Sequence, residues 1–277
     1  MLSSIIRNLM QRSASFRALM KTSCVQRLVK ANRRRTAVTP GWRYFFDELF
    51  TVQGEHHYRL RDTGLAVTIR TGTRDADILQ EIFFDGVYAL PATVAGRLRQ
   101  TASIRALDLG GNIGLFGLYL IGCYPSAQVI SYEPDPTNLK LLEANISVNQ
   151  LEDQWQVREA CVSNHNGSVR FRSGQFADSS IVSDGPGTDV SCEDIFSLSD
   201  RFSFIKMDIE GSEWDILFDE RLPELPSDIL VLEWHVDARL VEHPRLAAVN
   251  RLRATGFKTV DVSRYDSETD GMLWAWR

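Results

Sequence analysis

The apolar residues of this chain come in runs broken by glycine, proline and charge, and from residue 104 onward short and long runs alternate. Ile104 to Leu109, Gln128 to Tyr132, Trp155 to Val162, Phe204 to Met207 and Ile229 to Glu233 are short, apolar-rich segments of the kind that form buried strands. Segments with helical spacing lie between them: one from Leu115, one from Thr137 through Leu139, Leu142 and Ile146 to Asn149, and one starting near Ser212. A helix over Leu246 to Ala254, a strand over Phe257 to Val262 and a last strand over Met272 to Trp276 close the chain. The alternation predicts an α/β domain. Ahead of it, Leu65 to Ile69 reads as a short strand, and Asp75 to Phe84 as a helix leading to Asp85-Gly86 and Tyr88. Asn164 to Gly167 reads as a turn into a strand over Ser168 to Phe171, and Gly174 to Thr188 as a polar loop that could face a substrate.

The beginning of the chain follows a different pattern. From Leu2 to Val29 apolar residues recur at helical spacing with Arg7, Arg12, Arg17 and Lys21 interleaved, which predicts a basic amphipathic helix. It has no run of about 18 uncharged apolar residues and cannot span a bilayer. A membrane-surface helix, an organellar transit peptide and a helix packed on the protein body are all compatible with it. A basic linker, Arg33 to Pro40, follows. The aromatic cluster of Trp42, Tyr44, Phe45, Phe46 and Phe50 then reads as docking on the main domain. These breaks divide the chain into an arm (1–36), a cap region (37–102) and a main domain (103–277).

Composition adds to this picture in two places. Among 277 residues with a net charge of −5, ten basic residues precede the first acid, Asp47, so the remainder carries a clear acidic excess. An acidic domain is a poor partner for nucleic acid, which excludes that class. Cys24, Cys123, Cys161 and Cys192 form no C-x-x-C pair and read as reduced thiols of an intracellular protein, which places the chain in the cytoplasm, with peripheral membrane contact through residues 1–30 as an option.

The chemistry is densest where the first buried strand ends. Asp108-Leu-Gly-Gly-Asn-Ile-Gly114 fails the G-x-G-x-x-G spacing of a dinucleotide site in either register, which disfavours an NAD-dependent oxidoreductase. What it contains is acid-x-Gly-x-Asn-x-Gly: Asp108, Gly110, Asn112 and Gly114. That suits S-adenosylmethionine, which has no pyrophosphate but carries an ammonium group that Asp108 could meet. Glu133, at the tip of the second strand, stands where such folds bind ribose hydroxyls, with Asp135 capping the next helix. Glu159 and Ala160 would flank an adenine ring. The fourth strand brings Lys206, Asp208 and Glu210 to the ligand edge of the sheet. Glu213 reads as an ordinary first-turn acid. His235 is either a general base beside Asp208 or a packed residue held by Glu233. Asp208, Glu210 and Glu233 could hold magnesium, but no dedicated cage is visible and no metal is expected. His56-His57 reads as a solvated loop, and His243 as a surface residue.

Ile82-Phe83 to Tyr88, Asp108 to Gly114, Tyr132-Glu-Pro-Asp135 with Asn138, Ile205-Lys-Met-Asp-Ile-Glu-Gly-Ser-Glu213 and Leu232-Glu-Trp-His235 together resemble the FkbM family of class I S-adenosylmethionine-dependent methyltransferases, over about residues 75–236. The resemblance implies a Rossmann-like sheet of seven mostly parallel strands with the last antiparallel, S-adenosylmethionine as cofactor, Asn138 among the cofactor contacts, and O-methylation of a sugar, glycan or natural-product hydroxyl. Read onto this chain, Asp208 with Glu210 and His235 would orient and deprotonate the acceptor while Lys206 fixes a polar partner. A membrane-associated protein that binds the cofactor without turnover is the alternative.

Overall fold

The computed structural model describes residues 23–101, 103–172, 180–181, 187–210, 212–237, 239–240, 243–261, 267 and 269–277. Most of the expected arm and most of the expected 174–188 loop lie outside these residues. The chain enters through α1 (Ser23–Arg34), the two-residue β1 (Val38–Thr39) and α2 (Gly41–Leu49). The α1 helix ends docked on the body: Ala31 and Arg34 are buried, and the Arg34 guanidinium reaches Glu48, Asp77 and the Gln80 side chain. Among the described residues no helix is long and apolar enough to cross a membrane.

The aromatic cluster was expected to dock as a whole, and it does not. The helical period of α2 turns only Tyr44 inward, while Trp42, Phe46 and Phe50 are 66%, 48% and 69% exposed. The hairpin β2 (Gly54–Leu60) and β3 (Ala66–Thr71) pairs antiparallel and adds β1 at its edge. This corrects the reading of His56-His57 as a solvated loop. His56 is buried within β2 between the Val52 carbonyl, 2.9 Å away, and the Asp47 carboxylate, while the ring of its neighbour His57 meets the Thr68 hydroxyl at 2.8 Å.

After α3 (Asp75–Gln80) the helix widens into a π-turn, Glu81–Asp85, and α4 (Ala92–Leu98) leads to the main sheet. Its elements are β4 (Arg105–Leu109), α5 (Leu115–Cys123), β5 (Gln128–Tyr132), α6 (Pro136–Val148) and β6 (Trp155–Arg158). The apolar run through Val162 does not stay one strand. After β6 the Ala160 amide turns back to the Arg158 carbonyl, and β7 (Cys161–Ser163) leaves for a second, four-stranded sheet with β8 (Gly167–Arg172), β9 (Ser180–Ile181) and β10 (Thr188–Asp194). Apolarity marked the burial on both sides of this corner but not the corner itself.

The main sheet continues with β11 (Phe204–Met207), α7 (Glu213–Phe218), β12 (Ile229–His235), α8 (Pro244–Ala254), β13 (Lys258–Asp261) and β14 (Asp270–Trp276). Its order is β13-β14-β12-β11-β4-β5-β6, seven strands, with β14 antiparallel between β13 and β12. This is the sheet that the resemblance implies. Both faces are covered, which is why its strands show no polar alternation. Ala106, Val129, Phe204, Val231 and Trp274 pack toward α5 and α6, and Leu107, Ile205, Leu230 and Leu273 toward α7 and α8. His243 is exposed, as expected, and its ring accepts from the Arg245 amide at the start of α8.

One fully buried side chain ties the cap hairpin to the sheet edge where β4 ends. The Asn145 amide of α6 accepts from the Thr68 amide at 2.7 Å and donates to the Thr68 carbonyl and, at 2.9 Å, to the Ile113 carbonyl. The loop after β4 is thereby held from outside the sheet as well as from within it.

Candidate active site

A parallel strand delivers its last residues to the carboxyl edge of the sheet, and here β4, β5, β11 and β12 deliver theirs into one cleft. Its floor is the loop from Gly110 to Asn112, where φ is +81° at Gly110 and +47° at Asn112. At Gly110 a Cβ would stand 1.8 Å from the Asp208 carbonyl oxygen, so the two loops touch through bare backbone. Gly114 has another task. It lies under Trp155, 3.1 Å from where a Cβ would sit, and among the described residues it does not line the cleft.

Glu133 closes this end. Its carboxylate accepts from the Asn112 amide at 2.7 Å and from the Asp135 amide at 2.9 Å, and burial pushes its carboxyl up to about 7. Asp135 does cap α6, accepting from the Thr137 amide at 2.8 Å. Asn138 lines the cleft and accepts from Arg70, which is itself held by Asp75. Pro134, Ala160, Cys161, Val162 and Phe171 form an apolar wall.

Two expected contacts fall elsewhere. Asp108 is fully buried beneath the loop and does not line the cleft. Its carboxylate accepts from the Ser131 hydroxyl at 2.7 Å and pairs with Lys206 at 3.2 Å, so its charge is spent on fixing the strand ends. Glu159 is exposed, because β6 stops at Arg158 and the turn carries Ala160, not Glu159, into the wall.

Lys206 is the joint between the two halves of the cleft. Its buried ammonium donates to the Gly110 carbonyl at 2.6 Å and to the Leu109 carbonyl at 3.2 Å, and it lies 3.4 Å from Asp208. Burial alone would lower its pKa, but Asp108 and Asp208 raise it, so the lysine stays charged and is no proton shuttle.

Beyond Lys206 the lining turns acidic, with Glu81, Asp208, Glu210, Glu233 and Asp270. Glu210 takes a left-handed backbone, φ +54°, which bends the loop out of β11. Burial pushes Glu81 up to about 7, and burial together with Asp208 raises Glu233 further above the ordinary carboxylate range. His235 stands between two carboxylates. Its Nδ1 is 3.1 Å from Glu213 Oε1 and its Nε2 is 3.5 Å from Glu210 Oε2. Although burial opposes the charge, Glu213, Glu210 and Asp208 hold the ring protonated, up to about 10. Glu213, read from sequence as an ordinary first-turn acid, is fully buried, and the same Oε1 also accepts from the Ile209 amide at 3.0 Å.

Glu81, Tyr88, Phe171 and Asp270 had no assigned role in the sequence reading, and all four line the cleft. Glu81 follows Ile78 at helical spacing onto the cleft face and opens the π-turn; such widened turns concentrate at functional sites.

The family model for the FkbM methyltransferase domain matches residues 108–243, the segment that supplies the loop, Glu133, Asp208 and His235. The chain carries an FkbM methyltransferase domain. That domain is accordingly an S-adenosylmethionine-dependent methyltransferase domain. Among relatives, Methyltransferase sdnD of Sordaria araneosa is 26% identical over an alignment covering 57% of this chain and 74% of that one. The AMB antimetabolite synthetase AmbE of Pseudomonas aeruginosa is 42% identical over 69 residues, which take in 25% of this chain and only 3% of that much longer protein. A solved structure, the magnesium protoporphyrin IX methyltransferase of Synechocystis PCC 6803 with bound SAM, overlaps 72% of this chain and 83% of its own at 14% identity and a TM-score of 0.42, too distant a likeness to carry an argument.

The residues of the FkbM domain's cleft fit the methyl donor by their chemistry. A carboxylate on the loop edge suits ribose hydroxyls, a flat apolar wall suits adenine, and the acidic half suits a sulfonium and an ammonium group.

Proposed function

We propose that the FkbM domain methylates a hydroxyl group of a sugar, glycan or natural product by in-line transfer, with Glu133 and the Gly110–Asn112 backbone holding the donor and Asp208 serving the acceptor. The observation that carries this reading is the position of Asp208. Its carboxylate is partly open to the cleft, while its backbone lies against Gly110, so an acceptor reaching Asp208 lies next to whatever the glycine loop holds.

S-adenosylmethionine supplies an already activated methyl group. What remains for the chain is alignment and removal of the acceptor's proton. Lys206 fixes Asp208 from one side without competing for the proton, since its own protons go to the Gly110 and Leu109 carbonyls. His235, flanked by Glu213 and Glu210, already carries a proton on each ring nitrogen. It is therefore an orienting cation and not the base, which narrows the assignment to Asp208. Ala160 and Phe171 would lie against the adenine, and Asn138 and Glu133 toward the ribose.

The test is methyl release from labelled donor over a panel of hydroxyl-bearing acceptors, paired with calorimetry of donor binding. With a turned-over acceptor in hand, Asp208→Asn should lower kcat by about 10²- to 10⁴-fold, the usual contribution of a general base, with the donor still bound. Unchanged turnover in Asp208→Asn would remove the proposed base. Turnover confined to amine or carbon acceptors would remove the hydroxyl.

A further inference from the structure

Three ligating groups from two neighbouring strand ends meet at the acidic end of the cleft: Asp208 from the loop after β11, and Glu233 and His235 from the end of β12. One ligand atom from each lies within 4.8 Å of the other two. Cis and trans donors on an octahedral ion stand about 3 and 4 Å apart at metal–oxygen distances of about 2.1 Å, so closing this triangle on a cation takes side-chain adjustments of about an ångström.

Two further features set the cluster apart from a chance gathering of acids. Glu233 faces the cleft with neither a hydrogen-bond nor an ion-pair partner among the described residues, although Asp208 and Glu210 crowd it with like charge. Asp208, Glu210, Glu133 and Asp270, by contrast, are each tied to a cation, an amide or a hydroxyl. The histidine, in turn, is mounted as metal-ligating histidines are. Nδ1 is turned onto the fully buried Glu213 carboxylate, which is anchored by the Ile209 amide, and Nε2 is left toward the carboxylates.

We infer that Asp208, Glu233 and His235 form a binding site for a hard divalent cation of the Mg²⁺ or Mn²⁺ type, with Glu213 as the residue that positions the imidazole. Two oxygens and one nitrogen suit such an ion and leave coordination positions open to solvent or to an acceptor hydroxyl. The cation takes the place of the proton that Nε2 carries without it, and that proton is released to solvent on binding. Asp208 binding through one oxygen keeps the other beside the acceptor. This role for the ion rests on the hydroxyl reading above; the site itself does not.

The experiment is a titration of the full chain with Mn²⁺ alone, followed by the loss of the free-ion electron paramagnetic resonance signal, with neither donor nor acceptor present. One Mn²⁺ per chain, displaceable by Mg²⁺, is expected. Glu233→Gln should weaken binding at least tenfold. Glu213→Gln, which touches no ion, should weaken it about 10- to 100-fold through the misplaced ring. Thermal melts of both variants and calorimetry with S-adenosylmethionine check that the fold and the glycine-loop end persist. No stoichiometric binding by the wild-type chain, or binding indifferent to Glu233→Gln, overturns the site. Because donor binding is measured separately, a protein that binds the donor but no Mn²⁺ fails this inference and leaves the methyltransferase reading intact.

Discussion

At the glycine-loop end of the cleft each buried carboxylate is matched by protons: Glu133 by two amides, Asp135 by the first turn of α6, and Asp108 by Ser131 and Lys206. At the acidic end, a few residues further along the same strand edge, Glu81, Asp208, Glu210 and Glu233 crowd one another, with Lys206 beside Asp208 and His235 beside Glu210 as counter-charges. Satisfied polar networks are rigid, whereas crowded like charges raise one another's proton affinity and invite a cation or a proton. One half of the cleft is built to hold a ligand in a single pose and the other to exchange protons with one. Lys206 belongs to both and keeps their spacing.

The largest way to break this division is at the contact between the halves. Gly110→Ala places a methyl 1.8 Å from the Asp208 carbonyl oxygen on a backbone with φ +81°. Neither loop can yield without losing the Lys206 bonds, so the variant should lose about 3 kcal/mol of stability or more and bind no donor, as read by calorimetric melting and titration. A variant that melts like the wild type would show the two loops to be independent.

Asn145→Ala attacks the glycine-loop end alone. It strands the Thr68 amide and carbonyl and the Ile113 carbonyl in a buried place, at a cost of about 1–3 kcal/mol for each group left without water. A fall in melting temperature and weaker donor binding are expected. If Mn²⁺ binding weakens equally, the rigid half and the acidic half are not separable.

Glu133 offers a smaller and sharper test through pH. Its folded pKa of about 7 lies above the unfolded value near 4.5, so over that interval the folded state keeps a proton that the unfolded chain releases. Its contribution is fully present below about 4.5 and is lost as pH rises through about 7. Wild-type stability should therefore decline across this window relative to Glu133→Gln by on the order of 2–3 kcal/mol, measured by denaturant melts at each pH. Donor affinity in Glu133→Gln should drop about tenfold at pH 8, where the wild-type carboxylate is ionised. Parallel stability curves would mean that the two amides already hold Glu133 charged.

Much of this was legible in the residues. Seven apolar runs contain the seven strands of the main sheet, and the glycine spacing together with the acids at the strand tips pointed to Gly110, Asn112, Glu133, Lys206 and Asp208, which line one cleft. What escaped was whatever depends on a bend or a layer. Asp108 and Glu213 look like ligand and surface acids in sequence, but the depth at which a strand ends, and which side of a first helical turn faces inward, follow from packing by distant segments. Glu81 reaches the cleft only because its helix packs across the sheet edge, and Asp270 because β14 is inserted antiparallel.

The smallest expected effect sits at one such bend and separates neighbouring residues that the sequence treats alike. Glu159 and Ala160 both follow β6, yet Glu159 is exposed while Ala160 lies in the apolar wall beside Phe171. Glu159→Ala removes a solvated charge and should change donor affinity by less than about a factor of two, since surface substitutions away from special features stay within about 0.5 kcal/mol. Ala160→Leu adds three carbons to the wall where a flat ring would lie, and should weaken donor binding while leaving Mn²⁺ binding at the far end untouched. Equal effects from the two substitutions would mean that the adenine does not rest on this wall, and the donor would then have to lie along the cleft in the opposite sense, with its ring toward Tyr88 and Ile82.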